Sequence, residues 1–100
     1  MKTAQQKVKE FVQKHNLTSG IEGKILMLTH EVGEIAKEGL KMSNYGKKVI
    51  DPAQPTGKMA LELGEILYCV ADMANALNID LEEAFELALD HFASKQQPKQ

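Results

Sequence analysis

Hydrophobic positions recur at spacings of three and four residues along most of the chain, which is the period of an amphipathic α-helix. No segment shows the sustained alternation of apolar and polar residues that is typical of a β-strand. We therefore predict an all-α fold, with residues 1–100 forming a single domain. The pattern places helices over about 3–15, 20–42, 57–77 and 81–95.

Residues that interrupt helices separate these segments. Thr18 or Ser19 is predicted to cap the second helix, because hydroxyl side chains accept hydrogen bonds from the first free N–H groups. The stretch 42–57 contains two prolines, two glycines and an asparagine, and is predicted to be a loop. Asn78 is expected to end the third helix, and Asp80 to cap the fourth.

Two short motifs, HEVGE and LELGE, place glutamates three residues apart on the second and third helices. On helical wheels, Glu31 and Glu34 lie along one edge of the apolar arc that is expected to face the core. Glu62 and Glu65 occupy the matching edge of the third helix. If the two helices are antiparallel neighbours, their acidic edges face each other and four carboxylates converge.

A cluster of carboxylates repels itself unless protons or a cation neutralise it. Oxygen ligands favour a hard cation, so the expected ion is Mg²⁺, with Mn²⁺ as a second possibility. A di-iron bundle favours Glu-x-x-His pairs, whereas the third position is Glu in both motifs here. A solvated acidic face without a metal is the other interpretation of the same spacing.

The segments HEVGEIAKE and LELGEILYCVADMANALNIDLEEAF resemble the MazG-like all-α nucleoside triphosphate pyrophosphohydrolases, over roughly residues 20–90. The resemblance implies a four-helix bundle completed by assembly into a homodimer or homotetramer. It also implies Mg²⁺-dependent cleavage of a (deoxy)nucleoside triphosphate to the monophosphate and pyrophosphate. Carried over by motif, Glu31 and Glu34 are metal ligands and catalytic candidates, and Glu62 and Glu65 complete the metal site.

Two departures from the family's pattern concern its charged residues. Glu65 stands where the family usually has Asp, which keeps the charge but lengthens the side chain by one methylene. The Lys, Asn and Arg series that many members carry on the last helix is missing, and Ala88 and Phe92 lie near those places. A phosphate clamp on the fourth helix is therefore in doubt.

Lys24 and Lys58 offer a substitute for the missing clamp, because both precede the acidic pairs on the same helices. Either lysine could contact a phosphate. The alternative is a salt bridge to Asp72 or Glu38 across the antiparallel helix pair. Asp72 extends the acidic edge beyond Glu65 and is a further candidate for the substrate site.

Composition and charge argue against several other functional classes. The chain has no arginine and a net charge of −2, which argues against binding to a nucleic acid polymer. It has no apolar run long enough for a membrane span. The lone Cys69 and the charged N-terminal segment lead us to expect a cytoplasmic protein. Two alternatives to the leading function stay open: phosphoribosyl-ATP pyrophosphohydrolase, and a non-catalytic module that binds nucleotide or metal or only oligomerises.

Overall fold

The computed structural model describes residues 1–53 and 57–96. In this part of the chain all regular structure is helical, which confirms the all-α prediction with four helices. Their bounds lie within one residue of those predicted, and Pro55 of the predicted loop falls outside the described residues. The helices are α1 (Ala4–Lys14), α2 (Ile21–Met42), α3 (Gly57–Ala76) and α4 (Leu81–Lys95).

Most helix ends are fixed by side chains whose capping role is visible in the sequence. The Thr3 hydroxyl accepts a hydrogen bond from the Gln6 N–H, and the Gln6 side chain accepts one from the Thr3 N–H, which forms a capping box for α1. Asp80 caps α4 as predicted, by accepting from the Glu83 N–H at 3.2 Å. Asn78 terminates α3 in a left-handed conformation, with φ 56°.

The predicted cap of α2 is wrong. The N-cap residue is Gly20, which has extended backbone and no capping side chain. Ser19 instead uses its hydroxyl oxygen to accept a hydrogen bond from Lys24, at 3.0 Å. A glycine is tolerated at an N-cap because water can solvate the first N–H groups there.

Helix α3 lies between α1 and α2 and packs against both. Asn75 near its C-terminal end donates a hydrogen bond to the carbonyl of Gln5, and Tyr68, two turns earlier, meets the ring of Phe11 edge-on at 5.9 Å. Increasing numbers in α3 thus pair with decreasing numbers in α1, so the two helices are antiparallel. Across α2 and α3, Lys24 pairs with Asp72 and Glu31 lies beside Glu65, so that pair is antiparallel as well.

The apolar arc of α2 faces its neighbour only in part. The half-buried residues on its near side are Ile21, Leu28, Ile35 and Met42. Glu31 and Glu38 are the buried residues of α2, each with 8% of its surface exposed, whereas Ile25 and Val32 are 48% and 49% exposed. Lys24 shares the face of the two buried glutamates, since the three are seven residues apart and seven residues make two turns. The seam between α2 and α3 thus contains buried charged residues beside half-buried apolar ones, and the far side of the apolar arc points outward.

Helix α4 is attached to the other three helices mainly at its first turn. The side chain of Gln5 fixes this attachment, donating to the Ile79 carbonyl at 2.7 Å and accepting from the Leu81 N–H at 2.8 Å. No residue of α4 is buried. The described segments therefore contain four helices, but α4 does not close them into a bundle.

The chain is more open than its length requires. Its radius of gyration is 16.8 Å, whereas a compact domain of this length has a value of about 13 Å. The buried apolar residues are small or medium-sized, namely Val8, Cys69, Ala71 and Ala74, and among the described residues no large side chain is fully buried. No helix in the described segments has both the length and the apolar character needed to cross a membrane.

Candidate metal centre

The seam between α2 and α3 brings three of the predicted carboxylates together. Glu31, Glu62 and Glu65 each present one oxygen, and these oxygens all lie within 4.8 Å of one another. Two ligands of an octahedral Mg²⁺ lie about 3 Å apart when adjacent and about 4 Å apart when opposite, since each metal–oxygen bond is about 2.1 Å long. Small side-chain movements would close this group around such an ion.

Two oxygens of these carboxylates lack a hydrogen-bond partner among the residues that the structure describes. Oε2 of Glu31 and Oε2 of Glu62 are buried, and neither accepts a hydrogen bond there. Burying a carboxylate oxygen without a partner is costly, so most such atoms in proteins bind a donor, a water molecule or an ion. Three carboxylates and no neutral donor form the ligand set that Mg²⁺ or Mn²⁺ prefers, and the residues therefore fit such an ion.

The charges in the cluster act on Glu65 most clearly. Its pKa is raised above the usual value for glutamate, first because its protonated form can hydrogen-bond to Glu31, then because of burial and the negative charges of Glu31 and Glu34. His30 opposes this shift, and its imidazole lies 3.8 Å from a Glu31 oxygen. Glu34 is thus close enough to influence Glu65 but lies outside the group of three converging oxygens.

Lys24 and Asp72 form an ion pair next to the cluster. Their charged atoms are 2.9 Å apart, and their side chains are only 10% and 17% exposed. This pair is one of the two arrangements that the sequence allows for Lys24, and it joins α2 to α3. Lys58 lies in the first turn of α3 and is exposed.

An open cavity of about 280 Å³ adjoins the ion pair, and none of the three cluster glutamates is among its described lining residues. Cys69 lies on its wall, and burial together with the charges of Glu31, Asp72 and Glu65 raises the pKa of its thiol. Tyr68 lies beside it and also contacts Phe11, and burial and the charge of Asp72 raise the pKa of its phenol. The cavity is lined by Leu17, Thr18, Ser19, Gly23, Lys24, Met27, Tyr68, Cys69 and Asp72.

Sequence reasoning did not assign Cys69 to this seam, and it named Glu38 there only as a possible salt-bridge partner of a lysine, although the spacing of both residues contained the information. Cys69 follows Glu62 by seven residues and Glu65 by four, so all three share one face of α3. Glu38 follows Glu31 by seven residues and is equally buried. Both residues lie on the lines along which α2 and α3 meet.

The chain is similar over part of its length to a bacterial protein. The chain is 34% identical over 68 residues to a Bacillus subtilis (strain 168) protein described as uncharacterized protein YpjD. The matched part covers 68% of this chain, and the chain spans 60% of that relative's length. No protein-family profile and no solved structure matches the chain. What can be said of function therefore depends on the residues of the α2–α3 seam.

Proposed function

We propose that this protein is a Mg²⁺-dependent nucleoside triphosphate pyrophosphohydrolase of the MazG-like type, with Mn²⁺ as an alternative ion. It would convert a (deoxy)nucleoside triphosphate to the monophosphate and pyrophosphate. The observation that carries the proposal is the convergence of Glu31, Glu62 and Glu65, two of which have buried oxygens without partners. The resemblance of the HEVGE and LELGE segments to that family supplies the reaction.

In this proposal Glu31, Glu62 and Glu65 hold the cation. The bound ion would supply positive charge for the phosphates and a water molecule of lowered pKa. Glu34, beside the cluster but not among its converging oxygens, suits the role of general base, because it stays free to accept a proton. Lys24 borders the neighbouring cavity and suits a phosphate contact, and Asp72 holds its ammonium group in place. Lys58 is a more exposed candidate for the same purpose.

The proposal includes assembly into a homodimer or homotetramer, since a single chain leaves many large apolar side chains exposed. It places the protein in the cytoplasm, where the lone Cys69 stays reduced. Nucleotides rather than nucleic acid polymers are the expected ligands, because the chain has no arginine and no excess of positive charge.

A second candidate is a non-catalytic module that binds nucleotide or metal. Two observations favour it. The ammonium group of Lys24 is already paired with Asp72, and α4 carries Ala88 and Phe92 near the places of the family's basic series. Phosphate binding would then depend on the cation alone. Such a module would bind Mg²⁺ and nucleotide without releasing pyrophosphate.

The test is pyrophosphate release from a panel of ribo- and deoxyribonucleoside triphosphates with Mg²⁺, with Mn²⁺ and with EDTA. Phosphoribosyl-ATP belongs in the panel, because it is the substrate of the related enzyme. We expect metal-dependent release that is lost in Glu31→Gln and Glu62→Gln. Asp90→Asn is the matched control, since Asp90 is exposed on α4 and makes no ion pair among the described residues.

The outcomes separate the two candidates. Release of pyrophosphate that survives both glutamate substitutions would contradict the proposed site. Absence of release across the panel, with Mg²⁺ still stabilising the wild type but not Glu31→Gln, would support the binding module. If Mg²⁺ fails to stabilise the wild type, neither function belongs to this seam.

A further inference from the structure

The ammonium group of Lys24 is held at two points. It donates one hydrogen bond to Oδ2 of Asp72 on α3, at 2.9 Å, and another to the hydroxyl oxygen of Ser19, at 3.0 Å. The Lys24 side chain is only 10% exposed. An ammonium group has three N–H donors, so one of them has no acceptor among the residues that the structure describes. The position of the Lys24 nitrogen is thus fixed, while one donor stays available to a ligand.

Ser19 supplies a second donor beside this one. Its hydroxyl oxygen accepts from Lys24, and its O–H has no acceptor in the described segments. The hydroxyl is available because Ser19 precedes Gly20, the N-cap of α2, and does not itself cap the helix. Lys24, Ser19 and Asp72 all line the cavity of about 280 Å³. A cationic N–H next to a neutral O–H suits an anion with several oxygens, such as a phosphate group.

The cavity lies further along the seam than the carboxylate cluster. Cys69, which lines the cavity, follows Glu65 by four residues, so the cavity begins about 6 Å from the cluster along α3. Lys24 precedes Glu31 by seven residues and Asp72 follows Glu65 by seven, which is about 10 Å on each of the two antiparallel helices. A ligand that begins at the cluster and ends at Lys24 is therefore elongated and anionic at both ends.

The two ends of the seam differ in what they offer an anion. Lys58, in the first turn of α3, is exposed. Lys24 is largely buried and shares its cavity with the apolar side chains of Leu17 and Met27. Apolar walls limit competition from water, and charge-assisted hydrogen bonds are stronger where the local dielectric is lower. The end of the seam at Lys24 is therefore the better site for a terminal phosphate.

We propose that this cavity is the subsite for the terminal phosphate of the triphosphate, and that Ser19 is a positioning residue for Lys24 there. The subsite selects triphosphates over diphosphates, because the phosphate chain of a diphosphate held at the cluster ends before it reaches Lys24. The inference deepens the proposed function and rests on it, since the cluster sets where the phosphate chain begins. It gives Ser19 a role and gives the site a preference for the length of the phosphate chain.

The test measures binding without turnover. Inorganic tripolyphosphate or inorganic pyrophosphate is added to the full chain with Mg²⁺, and the rise in melting temperature gives a dissociation constant for each. We expect the wild type to bind tripolyphosphate at least about tenfold more tightly than pyrophosphate, because only the longer chain reaches Lys24 and Ser19. Ser19→Ala should weaken the binding of tripolyphosphate about tenfold, the effect of losing one hydrogen bond to a charged group, and leave that of pyrophosphate unchanged.

Matched variants separate positioning from folding. Ser19→Thr keeps the hydroxyl and should keep the preference for tripolyphosphate. Thr18→Val is the control, because Thr18 lines the same cavity but makes no hydrogen bond to Lys24 among the described contacts. Lys24→Met should lose the preference altogether. Each variant is compared with its own melting temperature without ligand, so a loss of stability is not counted as a loss of binding.

Three results would overturn the subsite. A wild type that binds tripolyphosphate no more tightly than pyrophosphate has no site for a third phosphate. A preference that is unchanged in Ser19→Ala, or lost equally in Thr18→Val, removes the role of Ser19. A preference that is lost in Lys58→Met but kept in Lys24→Met places the phosphate chain at the other end of the seam.

Failure of the proposed hydrolase is seen separately. If no nucleotide releases pyrophosphate, while tripolyphosphate is still preferred by the wild type and no longer by Ser19→Ala, the subsite stands in a protein that binds nucleotides without cleaving them. If nucleotides release pyrophosphate but the wild type does not distinguish the two probes, the hydrolase stands and the subsite does not.

Discussion

Neutralising Glu31 should make the metal-free protein more stable, although Glu31 is a buried residue in the middle of the fold. Most substitutions of buried residues destabilise a protein. Glu31 differs because its neighbours across the seam are Glu62 and Glu65 and one of its own oxygens has no partner. Glu31→Gln removes a negative charge from this group and nearly preserves the volume of the side chain.

The size of the effect follows from the distance. Two unit charges 4.8 Å apart, the upper limit of the oxygen separations in the cluster, repel each other by about 1 kcal/mol in water and by about 3 kcal/mol at the effective dielectric of a protein surface. The effective dielectric at the cluster lies between these two limits, so we expect Glu31→Gln to increase the free energy of unfolding by about 1–2 kcal/mol. For a domain of this length that gain raises the melting temperature by about 5–15 °C.

The assay is thermal unfolding at one fixed protein concentration, in EDTA and in a series of Mg²⁺ concentrations. With Mg²⁺ at 100 times its dissociation constant, the wild type should gain about 2.7 kcal/mol, whereas Glu31→Gln should gain little. The order of stability of the two proteins should therefore reverse as Mg²⁺ is added. Asp90→Asn, which alters an exposed carboxylate on α4, should follow the wild type.

One pattern of results would refute this reasoning. If Glu31→Gln melts below the wild type in EDTA, and Mg²⁺ shifts both proteins equally, the carboxylates do not repel each other appreciably and do not form a cation site. The cluster would then be a solvated acidic edge, and the proposed function would lose the observation that supports it.

Three other predictions follow from the same seam. Lys24→Met should cost about 2 kcal/mol, because it leaves Asp72 charged and largely buried, and adding Asp72→Leu should recover most of the loss in urea unfolding. In EDTA, the stability of the wild type relative to Glu65→Gln should increase as the pH falls from 7 toward 4.5, the ordinary pKa of glutamate. The raised pKa of Glu65 favours the protonated folded state, and this contribution to stability is lost as the pH rises through the raised pKa. An unchanged difference in melting temperature between the two proteins would contradict this prediction. Iodoacetamide at neutral pH should alkylate Cys69 at least about tenfold more slowly in the folded protein than in guanidinium, because the thiol is buried and its pKa is raised; equal rates would show that the thiol is accessible.

The helices were predictable because each depends on signals within its own sequence. The period of the apolar residues gave their lengths, and Asp80 and Asn78 gave two of their ends. The N-cap residue of α2 was missed because three residues in a row, Thr18, Ser19 and Gly20, are all acceptable N-caps. A propensity scale also does not predict that the Ser19 hydroxyl accepts a hydrogen bond from the Lys24 side chain.

The packing of the helices was less predictable than their positions. A helical wheel gives the angle between Glu31 and Val32, but it does not say which of the two residues faces a neighbouring helix. The apolar arc of α2 suggested a core within the chain, whereas the structure places the line through Lys24, Glu31 and Glu38 against α3 and leaves Val32 half exposed. The near side of that arc, which includes Leu28, is half-buried within the chain, and its far side stays exposed.

The hydrogen bonds of Gln5 have a consequence for the order of folding. They join the first turn of α1 to residues 70 to 76 positions further along the chain. The α2–α3 hairpin needs shorter loops to close, and contacts between distant parts of a chain generally form late. A nascent chain would therefore form the acidic seam first and fix the direction of α4 last, when α1 docks. Removal of residues 1–5 would leave the seam in place and would release α4 from these hydrogen bonds.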